Sequence, residues 1–221
     1  MDHPREIRIS NVPKNAPTEE IQKAVSLLDV LEQKDIAITD AIGHSEGGLY
    51  LALAAFMHPE KFRNLIFVDP AGMIGKDSFL NLAYRFMIKE GKQSKLPSIM
   101  MMKSMSEFIA SNPSMALKEI KQLSEADIYQ MIKSLKEKGI NISFVFGNDD
   151  KVFPMEKVQE TYTQRKENGE IKDFKDILNG FYSVKGTHGE FIGHGELLPP
   201  KSLPKGINHI LDTMENLPNK N

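Results

Sequence analysis

The sequence predicts an α/β fold, in which a mainly parallel sheet of about five strands is flanked by helices. Short apolar runs of strand type alternate with longer segments that have helical periodicity. This alternation is typical of parallel sheets, because a helix carries the chain back between successive strands. Polar residues follow three of the apolar runs, and the carboxyl ends of parallel strands gather at one edge of a sheet. We therefore expect one functional site above that edge.

The first 75 residues predict three strands separated by two helices. Isoleucines alternate between Glu6 and Val12, which favours a short strand. Apolar residues share one helical face from Glu19 to Gln33, so this segment is predicted to be an amphipathic helix. The runs Ile36–Ile42 and Leu65–Val68 are predicted to be buried strands, and the wholly apolar run Leu49–Met57 a buried helix.

The rest of the chain predicts a helical insertion and then two more strands. Residues 76–138 have helical periodicity and no strand signal. The predicted helices of this insertion are Phe79–Glu90, Lys103–Ala110, Ser114–Gln122 and Ser124–Lys138. After Gly139 the predicted elements are a strand at Asn141–Phe146, a helix at Met155–Glu167, a strand at Gly180–Lys185 and a final helix at Ser202–Glu215.

Composition and charge narrow the class of protein. The chain has 221 residues, of which 40% are hydrophobic, enough for a substantial core. The formal net charge of -2 does not favour a nucleic-acid partner, and the lack of cysteine excludes thiolate chemistry. The chain begins with polar residues and has no long apolar run, so we expect a cytoplasmic protein with no membrane span.

A glycine-flanked serine stands between the strand Ile36–Ile42 and the helix that follows. The pattern is Gly43-x-Ser45-x-Gly47, and glycines two residues either side of the serine let the backbones approach closely at a sharp turn. The serine is then held at the carboxyl end of the strand, with its hydroxyl group exposed above the helix N-terminus. This strand–serine–helix arrangement is typical of a nucleophile elbow.

An acid and a histidine follow the two last predicted strands. A serine hydroxyl is a poor nucleophile until a base removes its proton, and a histidine base needs an anion to orient it. Asp149 or Asp150 is the candidate acid and His188 is the candidate base, with His194 as an alternative. The order serine, acid, histidine is the one expected of this elbow.

Other residues near these strand ends have structural interpretations. His44 is expected to pack behind the serine, and Asp69 to be a structural carboxylate, with a triad acid as its alternative role. The methionines Met100–Met102, Met105 and Met115 are expected in the core of the helical insertion. Methionine also suits adaptable apolar binding surfaces, so an apolar acyl pocket is their second interpretation.

Three motifs together resemble those of the α/β-hydrolase fold superfamily. They are Gly43-His44-Ser45-Glu46-Gly47-Gly48, the turn Gly147-x-x-Asp150-x-x-x-Pro154 and the loop Gly186-Thr187-His188. The resemblance covers nearly the whole chain and includes the helical insertion, which in the family commonly forms a cap or lid. It implies a core of residues 1–75 and 139–221, with a cap of residues 76–138 inserted after the third predicted strand.

The resemblance also implies roles for particular residues. Ser45 would be the nucleophile, His188 the base and Asp150 the acid, the last favoured over Asp149 by the family spacing after Gly147. The backbone amide of Glu46, the residue after the nucleophile, would donate to the oxyanion. No metal and no organic cofactor are implied.

The beginning of the chain departs from the family pattern. Members usually have three further strands before the segment that matches Glu6–Val12, and the loop after the third supplies a second oxyanion donor, often near a His-Gly pair. Only 44 residues precede Ser45 here, and they contain no such pair. We therefore expect a truncated or remodelled member, a fragment of a longer product, or half of a homodimer that pairs through an open sheet edge.

The leading functional hypothesis is a serine hydrolase that cleaves an ester or related acyl bond through an acyl-enzyme. A serine rather than an aspartate at the elbow argues against the epoxide hydrolase and dehalogenase branches of the superfamily. The expected substrate is a small apolar acyl or ester compound. The alternative hypothesis is a non-catalytic or weakly active binding protein that lacks a complete oxyanion hole.

Overall fold

A parallel sheet with helices on both faces forms the centre of the protein, and four of its strands belong to the described part of the chain. The structure is a computed structural model that describes residues 18–90, 103, 106, 107, 109–188 and 202–215. The described strands are β1 (Thr39–His44), β2 (Phe62–Val68), β3 (Asn141–Gly147) and β4 (Gly180–Val184). The described helices are α1 (Thr18–Gln33), α2 (Glu46–Met57), α3 (Phe79–Tyr84), α4 (Pro113–Glu125), α5 (Tyr129–Glu137), α6 (Met155–Glu167) and α7 (Ser202–Glu215).

The order of the strands in the sheet is the same as their order in the chain. The sheet runs β1-β2-β3-β4, and all three pairings are parallel. In register, His44 lies beside Val68, and Val68 lies beside Val145. The carboxyl ends of the first three strands are therefore level, and the loops that follow them open on the same side of the sheet. The predicted α/β class is confirmed.

Side chains of the central strands alternate between two apolar layers. Leu65 and Phe67 belong to the large core cluster that also contains the apolar residues of α2, whereas Ile66 and Val68 pack against Ile210 of α7. Successive side chains of β2 point to opposite faces of the sheet. Because helices cover both faces, β2 is apolar at every one of these positions. None of the described helices has both the length and the apolarity that crossing a membrane requires.

The structure describes four strands, whereas about five were expected, because one predicted strand falls on residues that are not described. The strand predicted at Glu6–Val12 lies outside the described residues, as does His194. In the described part of the chain, the outer edge of β1 has no strand partner. Ile38 and Ile42 beside this edge are 63% and 50% exposed. Pairing of two chains through this edge stays a prediction.

The helical insertion follows the prediction in type but not in every boundary. The segment between β2 and β3 contains α3, which continues as a π-helix over Arg85–Glu90, and then α4 and α5. The helix predicted at Ser124–Lys138 begins only at Tyr129, because Ser124 and Glu125 are the last residues of α4. Just before α5, the Asp127 carboxylate accepts a hydrogen bond from the Tyr129 N–H at 3.1 Å, which is typical of a turn.

The methionines that were expected in the core of the insertion are either exposed or outside the described residues. Met100–Met102 and Met105 lie outside the described residues. Met115 was expected to be buried but is 46% exposed on α4. The helix buries Ala116 instead, so the residue one position along the chain takes the inward-facing place.

Candidate active site

The backbone at Ser45 turns sharply between β1 and α2. Ser45 has φ 55° and ψ -124°, a conformation that residues with a side chain rarely adopt. Three backbone hydrogen bonds hold it there. Its N–H donates to the Val68 carbonyl at 3.0 Å, and its carbonyl accepts from the N–H groups of Gly48 and Ala71 at 3.0 Å each. The neighbouring strand and helix therefore enforce the strained turn.

Two glycines make this turn possible, but they are not quite the predicted pair. A Cβ atom on Gly43 would lie 2.7 Å from the Gly47 carbonyl oxygen, and one on Gly48 would lie 2.7 Å from the Pro70 Cβ. A Cβ atom on Gly47 would meet only the hydroxyl end of Tyr50, at 3.2 Å. The close backbone approach thus depends on Gly43, as expected, and on Gly48 rather than Gly47.

Hydrogen bonds connect the serine, the histidine and the second of the two candidate aspartates. His188 Nε2 lies 2.9 Å from Ser45 Oγ, and His188 Nδ1 lies 2.8 Å from Asp150 Oδ2. His188 and Asp150 are 0% and 2% exposed, so water does not compete for the bond between them. An ionised carboxylate can only accept, so Nδ1 carries the proton and Nε2 is free to accept from the serine hydroxyl.

The carboxylate of Asp150 is held on its other side by the backbone. Its Oδ1 accepts from the N–H groups of Val152 and Phe153 at 2.6 and 2.9 Å. Burial opposes ionisation of this group, but the charge and hydrogen bond of His188 and these two N–H groups outweigh it. The pKa of Asp150 therefore lies below its usual value.

The alternative acids occupy different places. Asp149 is half-buried, and its backbone N–H donates to the Gly186 carbonyl at 3.0 Å, which ties the acid loop to the histidine loop. Asp69 is fully buried, and its Oδ1 accepts from the Gly147 N–H at 2.9 Å, so it links the ends of β2 and β3. Burial, and then the nearby charge of Asp150, raises the pKa of Asp69 well above its usual value.

His44 packs against the ring of His188. Its ring centroid lies 4.8 Å from that of His188. Burial, followed by the charge of His188, lowers the pKa of His44 to about 3, so it stays neutral near neutral pH. Ligand atoms of His44, Asp69 and His188 lie within 4.8 Å of one another. A metal ion there would compete with Ser45 and Asp150 for the ring nitrogens of His188, since both nitrogens already make hydrogen bonds.

A mostly apolar cavity of about 230 Å³ opens beside Ser45 and His188. The helical insertion forms one wall, and the loop after Asp150 forms another. The ring of Phe153 lies edge-on to His188, with 5.3 Å between the ring centroids. The described lining residues are Ser45, Glu46, Leu82, Ala83, Phe86, Ile109, Ala116, Glu119, Ile120, Leu123, Val152, Phe153 and His188.

Sequence reasoning missed two basic residues that join the elements around this cavity. Arg85 is buried at the start of the π-helix, pairs with Asp77, and donates from Nε to the Val152 carbonyl at 3.0 Å. Lys23 on α1 contacts Glu20 of its own helix, Glu46 of α2 and Glu119 of α4. The contacts of Lys23 with the other two helices, and that of Arg85 with Val152, join distant parts of the chain, so no local sequence pattern predicts them.

Comparison with known proteins supports the fold assignment. The sequence matches no protein-family model. No curated protein matches it either. Among solved structures, it is similar to a bromoperoxidase from Bacillus anthracis, with a TM-score of 0.58 and 16% identity over 94% of this chain and 78% of that one.

Two further solved structures show the same likeness. One comes from a study of carboxylesterases from Nitrososphaera gargenis, with a TM-score of 0.56 and 18% identity over 93% of this chain and 76% of that one. The other is an enol-lactonase from Burkholderia xenovorans LB400, with a TM-score of 0.53 and 12% identity over 89% and 72% of the two chains. This chain has the α/β-hydrolase fold, which confirms the resemblance inferred from the motifs.

Proposed function

We propose that the protein is a serine hydrolase that cleaves an ester or related acyl bond through an acyl-enzyme. The observation that carries the proposal is the hydrogen-bonded chain from Ser45 Oγ through the His188 ring to Asp150, with distances of 2.9 and 2.8 Å. These are the distances that proton transfer from a nucleophile to a positioned base requires. The same three residues were the sequence-based candidates for nucleophile, base and acid.

The first half of the proposed reaction transfers the acyl group to the serine. His188 Nε2 takes the proton of the Ser45 hydroxyl as the oxygen attacks the substrate carbonyl carbon, and Asp150 stabilises the imidazolium that forms. His188 then gives that proton to the leaving alcohol oxygen as the carbon–oxygen bond breaks. Since the Asp150 carboxylate is already ionised and held by two backbone N–H groups, it needs no rearrangement during this step.

The N-terminus of α2 supplies an electrostatic environment for the oxyanion. Glu46 is the first residue of α2, so its backbone N–H has no acceptor within the helix. This N–H group and the positive end of the helix dipole favour negative charge on the carbonyl oxygen beside Ser45. We assign Glu46 as one oxyanion donor.

The second half of the reaction releases the acid. Water attacks the acyl-enzyme carbonyl while His188 Nε2 accepts one of the water protons, and the proton then returns to Ser45 Oγ as the acyl–oxygen bond breaks. The products are the free acid and the regenerated serine. The scheme consumes one water and needs no cofactor.

The cavity supports a small apolar acyl or ester substrate. Most of its described lining is aliphatic or aromatic, and a volume of about 230 Å³ accommodates a short chain. We propose that residues 76–138 form a cap over a core of residues 1–75 and 139–221, since α3 and α4 contribute Leu82 and Ala116 to the wall. Carboxylesterase and lactonase chemistry, named for two of the similar structures, falls within this reaction class.

Turnover of an activated ester tests the proposal. Purified protein is expected to hydrolyse p-nitrophenyl butyrate with saturation kinetics, and Ser45→Ala is expected to reduce kcat to the background rate because the nucleophile is absent. Ser26→Ala provides the matched control, since that serine lies on the exposed side of α1 and its hydroxyl donates to the Gln22 carbonyl of the same helix. A cooperatively folded protein that fails to hydrolyse this ester would instead favour the non-catalytic binding role.

A further inference from the structure

We propose that the cavity beside Ser45 selects against negatively charged acyl chains, and that Glu119 and Glu46 enforce this selection. Uncharged or cationic chains would be accepted. As a statement about turnover the inference rests on the proposed hydrolase function, but the charge selection belongs to the cavity and is measurable without catalysis.

Two glutamates are among the residues that line the cavity. Glu46 begins α2 directly after Ser45, and Glu119 belongs to α4 in the helical insertion. The remaining described lining residues are apolar except for Ser45 and His188, and none of the described lining residues is a lysine or an arginine. A ligand inside the cavity therefore lies next to two acidic residues and no permanently charged basic one among these residues.

One lysine behind the wall only partly offsets this charge. Lys23 Nζ lies 3.3 Å from Glu119 Oε1 and 3.1 Å from Glu20 Oε1, and it also contacts Glu46. Three carboxyl groups thus share one ammonium group. Burial, and then the proximity of Glu46, raises the pKa of Glu20 to about 7. Even when Glu20 is protonated, two carboxylates remain for one ammonium group.

The other charged groups around the cavity do not reverse this balance. Arg85, which bonds to the Val152 carbonyl, is paired with the carboxylate of Asp77. Asp150 lies behind His188, and its pKa is lowered, so this pair adds no net positive charge while His188 is neutral. Lys118, the residue before Glu119, contacts Glu19 on the outer side of α1 and is largely exposed. Away from the N-terminus of α2, the electrostatic environment of the cavity is therefore negative in the described part of the protein.

The small size of the cavity keeps a charge at the far end of an acyl chain close to both glutamates. A round cavity of about 230 Å³ is about 8 Å across, which is close to the screening length at physiological ionic strength. A carboxylate at the chain end, away from the proposed oxyanion donor beside Ser45, therefore feels both acidic residues in surroundings less polarisable than water. We expect discrimination of about tenfold or more against an anionic chain.

Two esters of equal acyl length test the selection during turnover. The substrates are p-nitrophenyl pentanoate and the mono-p-nitrophenyl ester of glutaric acid, which differ by a terminal carboxylate. The wild-type kcat/KM at pH 8 is expected to be at least about tenfold higher for the uncharged ester, and Glu119→Gln is expected to narrow this ratio several-fold. Glu125→Gln makes the same charge change at an exposed position on α4 that does not line the cavity, and should leave the ratio unchanged.

A binding experiment separates failure of the selection from failure of the proposed chemistry. Calorimetric titration of Ser45→Ala with methyl pentanoate, methyl 5-aminopentanoate and monomethyl glutarate is expected to give binding of the first two and at least about tenfold weaker binding of monomethyl glutarate. Exclusion of monomethyl glutarate by a protein that hydrolyses neither p-nitrophenyl ester would overturn the proposed function but support the selection. Equal hydrolysis of both p-nitrophenyl esters, or equal binding of methyl pentanoate and monomethyl glutarate, would overturn the selection and leave the proposed function standing.

Discussion

The carboxyl group of Asp150 is buried and yet remains ionised. Removal from water alone would raise its pKa, but it accepts two backbone hydrogen bonds and pairs with the His188 ring. The pKa of Asp150 is consequently lower than that of a free aspartate. In the proposed reaction this fixed negative charge keeps the proton of His188 on Nδ1, so that Nε2 stays available to Ser45.

Asp150→Asn should therefore lower kcat for ester hydrolysis by about 10²–10⁴-fold while the fold is retained. The amide can donate to Nδ1, which favours the tautomer whose proton sits on Nε2 and cannot accept from the serine. Steady-state kinetics and circular dichroism check both halves of this expectation. Asp149→Asn is the matched control, and it should change kcat by no more than a few fold. A larger loss in Asp149→Asn than in Asp150→Asn would exchange the roles of the two residues.

At the residue scale, most of the candidate site could be predicted from the sequence. The spacing of Gly43 and Ser45 predicted the sharp turn, and the positions of Asp150 and His188 after predicted strands indicated that they would meet. The role of Gly48 was not predictable, because its clash partner Pro70 follows a different strand. The choice between Asp149 and Asp150 depended on the resemblance to α/β-hydrolases, since both aspartates follow the same predicted strand.

At the element scale, charged side chains of α1 connect this helix to α4 of the insertion. Glu19 contacts Lys118 and accepts from Gln122 Nε2 at 2.5 Å. Lys23, one turn further along α1, lies 3.3 Å from Glu119. Glu20 points into the protein between these contacts and is fully buried. The two adjacent glutamates of α1 therefore experience opposite environments.

Glu20→Gln is expected to make the protein more stable, relative to wild type, as the pH rises. Burial, followed by Glu46, raises the pKa of Glu20 from 4.5 to about 7 in the folded state. Between these two values the folded protein holds a proton that the unfolded chain has lost, so the contribution of Glu20 to stability falls between pH 4.5 and about 7. The difference in free energy of unfolding between Glu20→Gln and wild type should therefore be more favourable to the variant at pH 8 than at pH 4.5, by an amount on the order of 1–3 kcal/mol. Urea unfolding at both pH values measures it.

The neighbouring substitution provides a control of opposite sign. Hydrogen bonds from Lys118 and Gln122 lower the pKa of Glu19 to about 2. Its contribution to stability is therefore present above pH 4.5 and is lost as the pH falls toward 2. Glu19→Gln should destabilise the protein slightly at neutral pH and not in acid. The interpretation of α1 would be wrong if both variants shifted stability in the same direction with pH.

Helix types were predictable at this scale, whereas contacts between helices were not. The apolar period identified α1, α6 and α7 with nearly their observed boundaries. The break between α4 and α5 was predicted at residue 123 but lies at residues 126–128, because α4 continues to Glu125. Periodicity does not register the hydrogen bond from the Tyr129 N–H to Asp127 just before α5. The contact of Arg85 with the loop after Asp150 depends on how the insertion packs on the core, and no periodic pattern encodes that packing.

At the scale of the whole molecule, the parallel sheet brings distant residues together. Strands β1, β2 and β3 end at the same level, and β4 extends the sheet beside β3, so Ser45, Asp150 and His188 meet above one edge although the serine and the histidine are 143 positions apart. Alternating strands and helices predicted this convergence, because right-handed crossovers return each strand in the same direction. The cavity was less predictable, since its walls come from the core and the insertion together.

Active-site labelling with a fluorophosphonate probe tests the central claim most directly, because it needs the nucleophile, the base and the acid but no knowledge of the natural substrate. We expect one covalent adduct per chain at neutral pH, located on Ser45 by peptide mass spectrometry. Ser45→Ala should abolish the adduct, and His188→Gln should slow its formation at least about 10²-fold. A folded protein that is not labelled, or that is labelled equally well in Ser45→Ala, would contradict the account.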